Sequence, residues 1–136
     1  MRGVYVALLV AMPLAAVGAQ QQPSTITLAC SGTSKLTATS AADLKPDPIT
    51  NLGIIVNAAD HTVTFANYVV PVTGINATLV NFNGRQPSPL GIKGGEFTID
   101  GSIDRVTGYT AIDFYYVNTG NNSSWELTCK PATRLF

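Results

Sequence analysis

The chain is poor in the residues that most enzymes depend on. It holds one histidine, two cysteines and one tryptophan in 136 residues, and only 12% of its residues are charged. A zinc site takes three or four His, Cys or carboxylate ligands, and His61 alone falls short of that. A nucleophile needs a base and an orienting group nearby. Neither a Gly-x-Ser-x-Gly elbow nor a Ser-x-x-Lys dyad occurs. There is no Cys-x-x-Cys, so dithiol redox chemistry has no motif. Eight basic residues balance eight acidic ones. No basic stripe is present to follow a nucleic-acid backbone, and no polybasic patch to hold anionic lipid. No stretch shows a sustained 3.6-residue apolar period, which sets helical folds aside. No cofactor is implied.

The one long apolar run lies at the start. Met1-Arg2 is a short basic region, Gly3 to Leu14 is almost wholly apolar, and Ala15 to Ala19 is a run of small residues. Polar Gln20-Gln21-Gln22-Pro23 follows. This is the layout of a secretory signal peptide cleaved after Ala19, and the apolar part is short for a bilayer span of about 20 residues. Leu28-Ala29-Cys30 is a poor lipoprotein signal, because it stands beyond a polar stretch and its lipidation would strand Cys129. The expected organisation is therefore a signal peptide over 1–19 and a single domain over 20–136, exported to the periplasm or beyond. An oxidising compartment and an even count make Cys30–Cys129 a disulfide. The chain-entropy model assigns a loop of this size about 4–5 kcal/mol.

The exported part reads as strands. Thr, Val and Ile abound, and turn chemistry recurs at short intervals. Ile26, Leu28 and Cys30 share a face before Ser31-Gly32-Thr33, which reads as a turn into a second short strand over 35–39. The prolines of 41–48 mark a loop. Leu52, Ile54 and Val56 alternate, Asn57 to Asp60 reads as a hairpin connection, and Ala66-Asn67 as a bend. Gly74 reads as a turn, and Asn83 to Gly95 as the longest irregular loop. Phe97, Ile99 and Ile103 point opposite to Glu96, Thr98, Asp100 and Ser102. Asp104 to Gly108 is a hairpin loop, with Gly108 able to supply positive φ. Ile112, Phe114 and Tyr116 alternate on the return, and Trp125, Leu127 and Cys129 share a face at the end. The expected fold is all-β: an antiparallel meander of eight or nine short strands, forming either a closed barrel or a two-sheet sandwich, with one disulfide. Joining the terminal strands favours closure, which also removes exposed edges.

Three segments carry a resemblance: Pro48 to Asn57, Gly101 to Gly108, and the tail Leu127 to Phe136. Together they resemble a family of small exported, uncharacterised proteins of alphaproteobacteria. The resemblance implies export and one domain, and it brings no activity with it.

Carboxylates give little toward catalysis. Glu96 and Asp100 share a strand face about 13 Å apart, beyond the roughly 5–9.5 Å of a glycosidase pair. Gly91 to Glu96 is glycine-rich but precedes a strand, unlike a phosphate loop. A terminal Phe136 invites comparison with outer-membrane barrels, yet the strands are short for a membrane crossing and Pro131 interrupts the last one. The exposed-face set Tyr109, Asp113 and Tyr115 is the expected contact surface. The expected function is a non-enzymatic binding domain for a protein or surface component. One alternative is a lipocalin-like carrier of a small apolar ligand. A cavity lined by Phe65, Phe97, Phe114 and Trp125 would favour the carrier, and their packing on one another would disfavour it. The other is a periplasmic hydrolase inhibitor working through the loop at Asn83 to Lys93.

Overall fold

The computed structural model describes residues 24–37, 45–87, 95–117 and 119–133. The expected signal peptide, the first half of the 41–48 loop (41–44), and residues 88–94 and 134–136 lie outside the described residues. Eight strands are present: β1 (Thr25–Thr37), β2 (Asp47–Asn57), β3 (Thr62–Phe65), β4 (Tyr68–Ile75), β5 (Leu79–Gln86), β6 (Phe97–Asp104), β7 (Tyr109–Tyr116) and β8 (Asn122–Pro131). Each pairs antiparallel with its sequence neighbours, and β1 also pairs with β8, so the sheet closes into a barrel. Of the two architectures open to the sequence, the barrel is the one formed.

Period-2 alternation decides which face is inside. Phe97, Ile99 and Ile103 of β6 are buried while Asp100 is exposed; Ile112 and Phe114 of β7 are buried while Asp113 and Tyr115 are exposed. The outer face of β6 to β8 is polar, carrying Thr98, Asp100, Asp113, Glu126 and Thr128 around the two tyrosines.

The seam between β1 and β8 runs over ten residue pairs, from Leu28↔Pro131 to Thr37↔Asn122. Cys30 stands directly opposite Cys129 and is joined to it by the disulfide. Both face the interior, at 0% and 6% exposure, so the bridge is part of the core. Gly32 lies two residues on, where a Cβ would fall 2.0 Å from the Glu126 carbonyl oxygen. Only glycine lets the two backbones approach this closely.

Several glycine-marked turns are strands instead. Ser31 to Thr33 stays within β1 as a bulge, with the register against β2 shifting between Cys30 and Gly32. Pro48 pairs with Thr33 near the start of β2, where a missing N–H is tolerated. Ala66-Asn67 is a two-residue hairpin turn, with Phe65 facing Tyr68 and Ala66 at φ 49°. Gly74 lies inside β4, and Asn83-Gly84 inside β5. The bulge between Val72 and Gly74 has a further effect. It puts Ile75 opposite inward-facing Val80, and so turns Ile75 toward the open end of the barrel, where it is still 43% exposed.

The barrel interior is graded from end to end. Phe65, Tyr68, Phe97, Phe114, Tyr116 and Trp125 fill the end carrying the β3–β4, β5–β6 and β7–β8 connections, with ring centroids 4.7–6.3 Å apart. Burial pushes the Tyr68 phenol above its ordinary pKa, with the neighbouring Tyr116 adding to the effect. The cavity envisaged between Phe65, Phe97, Phe114 and Trp125 does not form, because these rings pack on one another. Mid-barrel, the Phe82 ring covers Gly101 on the facing strand. Toward the opposite end the inward residues are aliphatic: Leu28, Val56, Val80 and Ile103.

Two substitutions test this architecture. A methyl on Gly101 would fall 2.2 Å from the Phe82 ring, so Gly101→Ala should destabilise by about 1–3 kcal/mol through forced repacking. An unchanged denaturant midpoint would mean that the ring has room to move. Replacing Cys30 and Cys129 together with Ala should cost about 2–5 kcal/mol. Calorimetry showing an unshifted melting temperature would remove the disulfide from the account of barrel closure.

Candidate functional site

The aliphatic end of the barrel opens into a pocket of about 840 Å³. Ile26 and Leu28 of β1, Val56 of β2, Ile75 of β4, Val80 of β5, Ile103 of β6 and Cys129 of β8 form its apolar wall and floor. Val56, Val80 and Ile103 are each 3% exposed and Cys129 6%, whereas Ile54, Val63, Val70, Ile99 and Ile112 are at 0%. The first set borders the pocket, and the second forms the closed core beneath it. Eight strands leave an interior just wide enough either to be filled by side chains or to hold one small ligand. Here the aromatic end is filled and the aliphatic end is not, since smaller side chains leave room near the rim.

The rim is built from short turns. Asp104 starts the β6–β7 turn, and its Oδ1 accepts from the N–H groups of Val106 at 2.8 Å and Thr107 at 2.9 Å. Those two bonds, Thr107 first, hold the Asp104 carboxyl below its ordinary pKa. Gly108 closes the turn at φ 77°, as its position predicts. The Gly108 N–H donates to the Asp104 carbonyl, and the Cys129 N–H donates to the Gly108 carbonyl, at 2.9 and 2.8 Å. The turn is thus fastened to β8 beside the disulfide. Thr110 is fully buried next to it, with Oγ1 3.2 Å from Cys129 Sγ and 3.3 Å from the Gly108 carbonyl oxygen.

Across the rim, Asn76 organises the β4–β5 turn. Its Oδ1 accepts from the backbone of Thr78 and Leu79, both at 2.9 Å, and from Thr78 Oγ1 at 3.1 Å. Arg105 links the two turns. Its backbone N–H donates to the Thr78 carbonyl at 2.8 Å, and its Nη1 donates to the Asn76 carbonyl. Arg105, Lys130 and Val106 border the pocket together, and Val106 is 75% exposed at the tip of its turn.

The residues singled out from sequence lie elsewhere, the disulfide excepted. Tyr109, Asp113 and Tyr115 form a row along the outer face of β7, the two tyrosines 48% and 49% exposed. Six residues of strand put these rings about 20 Å apart, on a convex surface. Asp113 accepts a 2.5 Å hydrogen bond from Ser124 Oγ. The carboxylates that the fold brings together are Asp113 and Asp100, direct partners across β7 and β6, rather than Glu96 and Asp100. Asp100 accepts from Asn83 Nδ2 at 3.1 Å. The hairpin centred on residues 104–108 carried this register, since counting back from the turn sets Asp100 opposite Asp113. His61 sits in the β2–β3 turn at φ 53°, where its carbonyl accepts from the Val72 N–H at 2.8 Å. Most of the proline-bearing loop considered for hydrolase inhibition lies outside the described residues, and its first part, Asn83 to Gln86, is β5. No group of three or more His, Cys, Asp or Glu side chains suited to a metal ion occurs among the described residues.

The Asp104 turn gives a pH dependence. A carboxyl with a lowered folded pKa adds stability that is present above its unfolded value of about 3.9 and is lost as pH falls through the folded value. Asp104→Asn keeps an acceptor oxygen but does not titrate. The variant should therefore lose less stability than the wild type over that acid window, followed by thermal melts; parallel pH profiles would contradict the role given to Asp104. No family model, no curated protein sequence and no solved structure matches the chain.

Proposed function

We propose that the protein is an exported, non-enzymatic binding domain that carries a small apolar ligand in the open end of its barrel. The observation behind this reading is the graded interior: one end plugged by aromatic rings, the other an apolar pocket of about 840 Å³. That volume falls within the range of about 300–1,000 Å³ typical of small-molecule sites, which are concave, mostly apolar and edged by a few polar groups. The buried Cys30–Cys129 bond and the signal-like segment at 1–19 support export. The packing of Phe65, Phe97, Phe114 and Trp125 on one another counts against a carrier with an aromatic-lined cavity, so the carrier reading rests on the aliphatic walls of the opposite end alone.

A second reading, contact with a protein or surface component, is supported by the half-exposed Tyr109 and Tyr115 on β7. The two readings differ in what a pocket mutation does. Ile26 borders the pocket and is half-buried, so Ile26→Trp should fill the space while leaving the barrel folded. The wild type should take up an environment-sensitive naphthalene fluorophore with micromolar affinity, and Ile26→Trp should weaken that uptake at least tenfold. Native mass spectrometry of protein purified gently from its own periplasm should show an added mass of a few hundred daltons that is lost on denaturation. Absence of both probe uptake and added mass would discard the carrier and leave the β7 surface.

A further inference from the structure

The pocket changes character from floor to rim. Its walls are aliphatic, but charged side chains border it, the cationic Arg105 and Lys130 and the acidic Asp104, which leaves the rim with net positive charge. Arg105 is the better placed. Its backbone is tied to Thr78 and its Nη1 to the Asn76 carbonyl, inside a turn that Asn76 itself braces with three further bonds. The acceptor it meets is a neutral carbonyl, which leaves its charge in place, and a guanidinium has five N–H donors in all. The acidic neighbour, Asp104, turns its Oδ1 to the N–H groups of Val106 and Thr107. Four residues of β1 lead from Ile26 at the rim to Cys30 at the level of the bridge. That is about 13 Å of strand, or about 10 Å along the axis for a strand tilt near 40°.

Resting on the carrier reading above, we propose that the ligand is a free single-chain amphiphile with a carboxylate head, its tail against Leu28, Val56, Val80 and Ile103 and its head at Arg105. A neutral apolar molecule would satisfy the walls and gain nothing from the rim. A carboxylate gains charge-assisted hydrogen bonds from a guanidinium that is already held in place, the planar fork that suits this group. A cationic head would be repelled. Because Arg105 is exposed, the gain is moderate, about tenfold in affinity, and it shrinks as salt screens it.

The test compares three ligands of one chain length, decanoic acid, methyl decanoate and decylamine, by calorimetric titration into the intact, delipidated, disulfide-bonded protein at neutral pH. The acid should bind about tenfold more tightly than the ester, and the amine more weakly than either. Raising the salt from low to 0.5 M should narrow the gap between acid and ester. Arg105→Gln should bring acid and ester to equal affinity, whatever its effect on both, and Arg105→Lys should retain part of the gap. The wild-type comparison stands without any variant, so a misfolded Arg105→Gln protein does not blunt it. Equal binding of acid and ester would overturn the carboxylate proposal and leave the carrier reading intact. Failure of all three ligands would overturn both. Adsorption to vesicles containing phosphatidylglycerol without uptake of the free acid would also overturn it, and would make the rim a membrane-surface contact.

Discussion

Everything in this molecule depends on the pairing of its first strand with its last. The remaining contacts join neighbours in sequence and make a row of hairpins, which alone would be an open sheet with two bare edges. The β1–β8 ladder removes both edges, and the Cys30–Cys129 bond locks it from inside. Gly32 is what makes the seam close, since any larger residue would meet the Glu126 carbonyl. The bond also anchors the neighbouring structure. The Cys129 N–H holds the carbonyl of Gly108, so the β6–β7 turn at the pocket rim is carried by the seam.

Closure sets the diameter, and side-chain size then determines what the interior does. Six aromatic side chains at one end pack on one another. At the other end the same cylinder is lined by Leu28, Val56, Val80 and Ile103, which are too short to meet across it. The pocket is thus a by-product of unequal packing between layers rather than a cleft between domains. The bulge in β4 adds Ile75 to its wall by shifting the alternation by one residue.

Much of the fold was legible in the sequence. Period-2 alternation over Phe97 to Ile103 and Trp125 to Cys129 identified the inward faces, and the inward-pointing cysteines implied that the terminal strands meet. The glycines misled. Gly32, Gly74 and Gly84 have the composition of turns but lie within strands, because glycine is equally the residue of close approach. A Cβ on Gly84 would fall 2.8 Å from the Pro71 ring. The pocket was not legible at all. Alternation tells which residues face inward, but not which of them share a level, since that depends on the stagger of the strands around the barrel. Alternation therefore left open whether the aromatic residues line a cavity or pack on one another, and it placed Arg105 only in a hairpin loop.

The topology also separates the order in which parts of the molecule can form. Each hairpin brings together residues near in sequence and needs only a short loop closure, on the microsecond scale. The seam instead joins residues 99 positions apart, and the entropy of that loop must be overcome before its ladder rewards it. The pocket straddles the seam, with Ile26 and Leu28 on one side and Cys129, Lys130 and Pro131 on the other. A chain with every hairpin made but the seam open has no pocket. The pocket arises in the same late step that closes the barrel and brings the two cysteines together.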